Sequence, residues 1–418
     1  MLAGWFAFLL AGCGAGSNVT TQLPGELTAA QTQAITALVQ QQVTSNVTPG
    51  IAVGIARGGK IVYTQAFGNR RLAGGGTPNE PVLITTPFAL GSMTKEFTTT
   101  AILLLAASGQ VSLDAPLSTY IPEYVNAPQM TLRQLATMTA GVPANDGPLY
   151  EAIITPGATP SQAVLSQRTI AALNAATPTL DFAPGTKMAY ANYGMWLLGE
   201  VIRRVTGMSY AGFLTQNIFA KVGMTSTYLF NFPPLDNEAE GYAHDYLPDP
   251  FVPSPDFPAI YLDAQGGLES TVHDILAWDI ALTSGQILSS AQYQTMLTVP
   301  GNGTIPTVIG DPNGEILYRD NDGSPTMYGM GWFVPGANYY FHPGGTNGFT
   351  SQNANFNDGT SIVILTNQHL NSVPIGDAIP NLAPQIYRIL APGVTTPDAF
   401  TILKQLTVPP PTPDPLEE

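Results

Sequence analysis

The sequence has a single cysteine, Cys13, so no disulfide can close within the chain. Charge is scarce as well. Only 10% of the 418 residues are charged, and the acidic ones outnumber the basic ones 29 to 14, for a net charge of −15. A surface of that sign repels phosphate backbones, which argues against a nucleic-acid partner and for simple solubility. After the first dozen residues no apolar run is long enough to span a bilayer as a helix. The histidines His244, His273 and His369 are scattered and lack metal-ligand spacing such as H-E-x-x-H, so no metal site is expected. No phosphate-cradling or dinucleotide motif is present, and no cofactor is expected.

Glycine (42) and proline (37) are abundant, and they predict many turns and long connections. The N-terminus has its own character. Residues 2–10 form a short apolar run, too short for a transmembrane helix, of the kind found in export signals. Leu10-Ala11-Gly12-Cys13 then resembles the lipobox of bacterial lipoproteins, whose cysteine carries lipid, although no Lys or Arg precedes the run. Residues 1–26 are accordingly read as an export signal with lipobox and a polar tether. The expected location is the bacterial periplasm or cell envelope, with a membrane tether through Cys13. A plain cleaved signal is the alternative.

Further along, residues 27–43 place Ile35, Leu38 and Val39 at helical spacing. Residues 51–67 hold two alternating apolar runs around Arg57-Gly58-Gly59-Lys60, a hairpin signal. Residues 88–110 read as an apolar helix that stops at Gly109. From about residue 113 to 284 the pattern is mostly helical, clearest at 195–205 and 211–222, with Pro-rich loops between. Strand signals return at 328–334, 350–356 and 361–365, the last two joined by a tight turn at Asn357-Asp358-Gly359. The expected fold is α+β. Two sequence-distant strand groups share one antiparallel sheet flanked by helices, with a mostly helical domain inserted between them. The whole folded unit spans 27–391, with its helical insert at about 113–284, and a Pro-rich tail follows at 392–418.

The chemistry begins at Ser92 and Lys95. Residues three apart on a helix share a face. A serine in the first turn sits at the positive end of the helix dipole, which favours developing negative charge. A lysine buried one turn further on is driven towards its neutral form, and a neutral amine can accept the serine proton. The pair is then an activated nucleophile without a histidine. Of the five lysines only Lys95 has a serine three positions before it. A second candidate is Tyr190-Ala191-Asn192. A phenol beside the lysine can pass a proton to a leaving group, and an asparagine can donate to a substrate carbonyl. The same Y-x-N spacing occurs at Tyr124-Val125-Asn126, in a Pro-flanked loop; Tyr190 is preferred because a strong helix follows it. The third candidate runs from His342 to Phe349 (HPGGTNGF), where Gly344 and Gly345 let a backbone approach a ligand closely and offer an N–H to an oxyanion. A Gly-rich hairpin connection is the bland reading of that stretch.

In the order S-x-x-K, Y-x-N and H-x-G, the three motifs resemble the serine β-lactamase and penicillin-binding-protein superfamily. The tyrosine points to its class C side, with class C β-lactamases, DD-peptidases and family VIII carboxylesterases. MTLRQLATMTAGVP, FAPGTKMAYANYGMWLLGEVIRRVTGMSY and GTNGF are similar to that family's stretches, and the likeness covers about residues 27–390.

The resemblance implies roles. Ser92 would be the acylated nucleophile, Lys95 its base and Tyr190 a proton relay. Asn192, His342, Gly344 and Gly345 would bind substrate, and the N–H groups of Ser92 and Gly345 would form the oxyanion hole. Two residues depart from the β-lactamase pattern: His342 stands in place of lysine, and Pro343 in place of a Thr or Ser that helps hold a substrate carboxylate. The expected substrate is a small ester, amide or peptide, with a carboxylesterase acting on short-chain esters as the leading reading. A D-alanyl-D-alanine carboxypeptidase or weak β-lactamase is the second reading, and a non-catalytic peptidoglycan-binding protein the third.

Overall fold

The computed structural model describes residues 25–74, 76–144, 146–154, 160–230, 235–244, 251–254, 259–303, 328–335, 339–370, 379 and 382–394. Cys13, the tether up to residue 24 and the tail beyond residue 394 lie outside the described residues.

Thr28 starts the first helix. Its side chain accepts from the Gln31 N–H, and the Gln31 side chain accepts from the Thr28 N–H, closing a capping box. The helix, α1 (Ala29–Thr44), buries Ile35 and Val39 against the sheet. The Gly58-Gly59 turn joins β1 (Gly50–Arg57) to β2 (Lys60–Arg71), and the short β3 (Glu80–Pro81) edges them. From the other end of the chain come β9 (Tyr339–Thr346), β10 (Phe349–Phe356) and β11 (Thr360–Thr366). All six strands form one antiparallel sheet in the order β3-β2-β1-β11-β10-β9. β1 is buried along its whole length because it pairs on both sides and is covered on both faces. Tyr63, across from Ile55, meets Thr36 of α1, whereas Gly54 faces Leu276 of α10 (Val272–Ser284). Neighbouring residues of a strand point to opposite faces, so α1 and α10 sandwich the sheet. The last helix, α12 (Leu382–Leu390), packs beside α1.

Between the two strand groups lies the helical block. β4 (Phe88–Ala89) leads into a 3-10 turn, Gly91–Met93, and then α2 (Thr94–Ala107). The block continues through α3 (Leu132–Ala136), α4 (Asp146–Ile153), α5 (Gln162–Ala175) and α6 (Asn192–Thr206). It goes on to α7 (Tyr210–Leu214), α8 (Ala220–Val222), α9 (Ala259–Gly266), then α10 and α11 (Ser290–Leu297). α2 and α6 are central. Phe97 of α2 stacks on Trp278 at 4.6 Å, and each such fully buried side chain contributes about 1.5–3 kcal/mol.

Two details differ from the sequence reading. Residues 328–334 form only isolated bridges, Tyr328 with Phe333 and Phe333 with Phe341, while the Gly-rich stretch around His342 is itself the edge strand β9. Two small sheets also interrupt the helical block. One joins β4, β8 (Leu268–Ser270) and β5 (Tyr228–Leu229). The other joins β12 (Gln368–Leu370), β6 (Tyr242–His244) and β7 (Val252–Pro253). These strands are two or three residues long, too short to show an alternating pattern.

Beneath the sheet two carboxyls are buried together. Asn353 donates to Glu96 at 3.1 Å and to Asp279 at 2.8 Å. Burial, then the nearby Asp279, holds Glu96 well above the carboxylate range, and burial pushes Asp279 up to about 7. The fold thus binds these protons more tightly than the unfolded chain does. For Asp279 the contribution to stability is full below the ordinary Asp value of 3.8 and is lost as pH rises through about 7. Asp279→Asn keeps an acceptor for Asn353 and removes one titration. Its urea midpoint should fall less between pH 5 and pH 8 than that of the wild type; an equal fall would show that Asp279 ionises normally.

Candidate active site

The chain reaches Ser92 through a constrained approach. Gly91 has φ +52, and a Cβ there would lie 2.7–2.9 Å from the backbone atoms of Gly345. Only glycine permits that contact, which seats the turn before α2 directly against β9. Ser92 is half-buried at the head of α2, with Lys95 one turn below it.

Lys95 is fully buried, and its Nζ lies 2.9 Å from Ser92 Oγ. The same nitrogen donates to the Gln265 backbone oxygen at 2.6 Å and lies 4.9 Å from the centre of the Tyr190 ring. Gln265 is delivered by α9, which is kinked at Asp263 (φ +37, ψ −122). That strained backbone is held by an ion pair between Asp263 and Arg203 of α6, and Arg203 also bonds Glu200 at 2.9 Å. α6 therefore serves the site at both ends. Its first residue is Asn192, two after Tyr190, and its last turn anchors the Lys95 acceptor. Tyr124, the rival tyrosine, is buried elsewhere in the helical core, where Asn126 donates to the Thr179 oxygen.

β9 supplies the opposite wall. Phe341 exchanges both backbone hydrogen bonds with Phe333, off the sheet edge, at 2.9 and 3.0 Å. Strand N–H groups alternate in direction, so those of residues 341, 343 and 345 all point away from β10. Residue 343 is proline, tolerated at an edge because it has no N–H to lose there. The Gly345 N–H is the next one along, and it faces the turn that carries Ser92. Gly344 lies beneath, where a Cβ would come within 1.9 Å of the Leu90 oxygen.

His342 is fully buried behind Tyr190, with the two ring centres 6.1 Å apart. Its Nδ1 lies 2.6 Å from the Pro343 carbonyl oxygen and its Nε2 lies 2.9 Å from the Tyr328 hydroxyl. A carbonyl only accepts, so Nδ1 carries the proton and Nε2 accepts from Tyr328. Burial, and to a lesser extent the neighbouring Lys95, pushes the imidazole down to about 3. His342 is therefore neutral, and both of its nitrogens are already engaged inside the protein.

These walls enclose a cleft of about 360 Å³, lined by Gly91, Ser92, Tyr150, Asn192, Gln265 and Gly345 among others. Ser92, Lys95, Tyr190, Asn192 and Gly345 come together around it; Gly344 packs under it, and His342 lies behind it. The sequence reading missed Gln265, since a backbone carbonyl looks the same at every residue and leaves no sequence signal. It also set His369 apart from the site, whereas His369 Nε2 lies only 3.7 Å from where a Gly345 Cβ would be. A larger hollow of about 630 Å³ beside Glu200, Arg203 and Arg204 contains none of these groups.

The chain resembles known proteins over most of its length. The sequence pattern of the beta-lactamase family matches residues 35–381. Penicillin-binding protein 4* of Bacillus subtilis (strain 168) is 25% identical over 324 residues, 74% of this chain and 66% of its own length. The putative penicillin-binding protein PbpX of the same organism is 26% identical over 77% of this chain and 71% of its own. Protein flp of Staphylococcus aureus (strain N315) is matched over 54% of its length, so the chain spans between half and just over two thirds of these relatives. Among solved structures, D-amino acid amidase from Ochrobactrum anthropi SV3 superposes with TM-score 0.69 at 22% identity, covering 87% of this chain and 99% of that one. A class C beta-lactamase superposes with TM-score 0.65 at 20% identity, covering 88% and 98%.

Proposed function

From the premise that the chain belongs to the beta-lactamase family and is a hydrolase of the serine β-lactamase fold, we propose that it is a carboxylesterase forming an acyl-enzyme on Ser92. The observation that carries this reading is the 2.9 Å contact between Lys95 Nζ and Ser92 Oγ, with the lysine fully buried beneath the serine and out of the cleft lining. Ser92 Oγ attacks the ester carbonyl carbon and gives its proton to the neutral Lys95 amine. The carbonyl oxygen takes up charge between the N–H groups of Ser92 and Gly345. As the C–O bond to the alcohol breaks, the proton passes by way of Tyr190 to the departing oxygen. Water then repeats the sequence on the acyl-enzyme, releasing the acid and restoring Ser92.

Esters are favoured over β-lactams and D-alanyl peptides by what the cleft lacks. Those substrates carry a carboxylate that must be held. No Lys, Arg or His is among the described residues that line the cleft, Pro343 has no hydroxyl, and His342 is neutral and engaged. Losing one charge-assisted contact costs about 1.5–3 kcal/mol. A second reading, amide or D-alanyl peptide hydrolysis, is favoured by the relatives that are named penicillin-binding proteins.

A fluorophosphonate should add to Ser92, as read by intact mass, and Ser92→Ala should not label. Turnover of p-nitrophenyl butyrate should exceed that of nitrocefin and of a D-Ala-D-Ala peptide. Absence of an adduct on Ser92 would remove the nucleophile, and preference for the peptide or nitrocefin would replace the ester reading with the second one.

A further inference from the structure

Two carboxyls meet beside the approach to Ser92. Glu269, on β8, is fully buried, and neither of its oxygens has a hydrogen-bond partner among the described residues. The Glu238 carboxyl and the Tyr228 hydroxyl stand next to it. Glu238 is buried as well, but it is supplied with donors. Its Oε1 accepts from the Tyr228 hydroxyl at 2.8 Å and its Oε2 from the Leu235 N–H at 2.8 Å. Two like charges so close in a desolvated site cannot both persist, so the pair keeps one proton. The two donors hold Glu238 as the carboxylate, which leaves the proton on Glu269, with Glu238 as its acceptor. Burial, and then the Glu238 charge, holds Glu269 well above the carboxylate range.

No cation offsets the pair. None of the ion pairs among the described residues includes either carboxyl. Arg70 of β2 donates to the Glu238 backbone oxygen at 3.0 Å, but its charge is paired with Glu80. Of the other titratable groups on the facing elements, Glu240 accepts from Tyr242, and Asp274 of α10 accepts from Thr227 at 2.8 Å and faces His273 at 3.8 Å.

The two carboxyls sit on the two segments that grip β4. Glu269 pairs with Ala89 of β4, and its neighbour Leu268 brackets the nucleophile. The Leu268 oxygen accepts from the Leu90 N–H at 2.8 Å, and the Leu268 N–H donates to Thr94 Oγ1 at 3.1 Å, two residues to either side of Ser92. On the other segment, Ala239 donates to the Pro87 oxygen at 3.1 Å. The seat of Ser92 therefore depends on these segments lying together.

We propose that Glu269 is a positioning residue and a pH latch: as a neutral acid it ties β8 to the Glu238 segment and keeps Ser92 seated, and in alkaline solution it gives its proton to hydroxide, the two carboxylates repel, and turnover stops until the proton returns. The proposal rests on the assignment of Ser92 as nucleophile. The folded chain binds this proton more tightly than the unfolded one. Its contribution to stability is full below the ordinary Glu value of 4.5 and is lost as pH rises through the raised one.

The test is kcat of the full chain for p-nitrophenyl butyrate from about pH 6 to about pH 10, with the uncatalysed rate subtracted. Wild type should lose about tenfold per pH unit beyond the titration of Glu269, as for loss of one proton, and should recover on return to pH 7. Glu269→Gln cannot ionise, yet its amide still donates to Glu238, so it should keep most of its pH 7 rate and lose the alkaline fall. Glu269→Met cannot ionise either and leaves Glu238 without that donor. It should show a lower urea midpoint and again no alkaline fall, which keeps the test open if the glutamine variant folds poorly. Asp279→Asn removes the other buried titration and should leave the fall in place. A wild-type profile with no reversible alkaline fall, a fall that both Glu269 variants retain, or one that Asp279→Asn abolishes would each overturn the latch while a fluorophosphonate still labels Ser92 at pH 7. Failure of that reagent to label Ser92 at any pH would overturn the nucleophile assignment and the latch with it.

Discussion

Lys95→Ala should lower kcat for p-nitrophenyl butyrate by roughly 10²- to 10⁴-fold, the usual contribution of a positioned general base. The lysine is the one basic group seen within hydrogen-bond reach of Ser92 Oγ among the described residues, and His342, the imidazole behind Tyr190, is locked by Tyr328 and the Pro343 carbonyl. The substitution also takes a donor from the buried Gln265 carbonyl, which costs about 1–3 kcal/mol of stability. Lys95→Met also loses the donor but keeps the packed stem, so it leaves no large cavity. It should be as slow as the alanine variant but closer to wild type in its urea midpoint. A residual rate within tenfold of wild type, in either variant, would place the base elsewhere.

Gly344→Ala should be nearly as damaging, although it removes no chemical group. The new Cβ would meet the Leu90 oxygen at 1.9 Å and Ser351 Oγ at 2.2 Å. Neither can retreat easily, because Ser351 Oγ donates to that Leu90 oxygen at 2.7 Å and both residues are held in place by β10 and the turn before Ser92. β9 must then move away from Ser92, which draws the Gly345 N–H out of position. Loss of one oxyanion donor lowers kcat by about 10²- to 10³-fold. A Cβ at Gly345 meets nothing nearer than His369 Nε2 at 3.7 Å, an ordinary contact, so Gly345→Ala should have the smaller effect. The reverse order, measured as kcat in two folded variants, would show that close seating of β9 on the Ser92 turn is not required.

Much of this protein was legible locally. Ser92 and Lys95 are three residues apart at a helix start, and helix geometry alone brings them to one face. The capping box at Thr28 and Gln31, the Gly58-Gly59 hairpin and the turn at Asn357 to Gly359 are likewise set by neighbours in the chain. The return of strand signals after the helical block was enough to expect one antiparallel sheet built from both ends. Other features required the folded chain. Pro343, Gly344 and Gly345 disfavour a strand by local preference, yet they form one because β9 is an edge, where a missing N–H costs no sheet hydrogen bond and missing side chains admit the Ser92 turn. The two Y-x-N spacings are identical, and the preference for Tyr190 rested on the helix that follows it; that helix, α6, carries Asn192 at its start, with Tyr190 just before it beside Lys95. The Gln265 carbonyl, 170 residues from Lys95, depends on a kink at Asp263 that an arginine on another helix holds in place. The sequence by itself determined the reactive pair and the layers of the fold, because both follow from short-range geometry and apolar periodicity. The tertiary structure alone decided the acceptor for Lys95 and the partners of His342, because each depends on long-range packing that leaves no local pattern in the sequence.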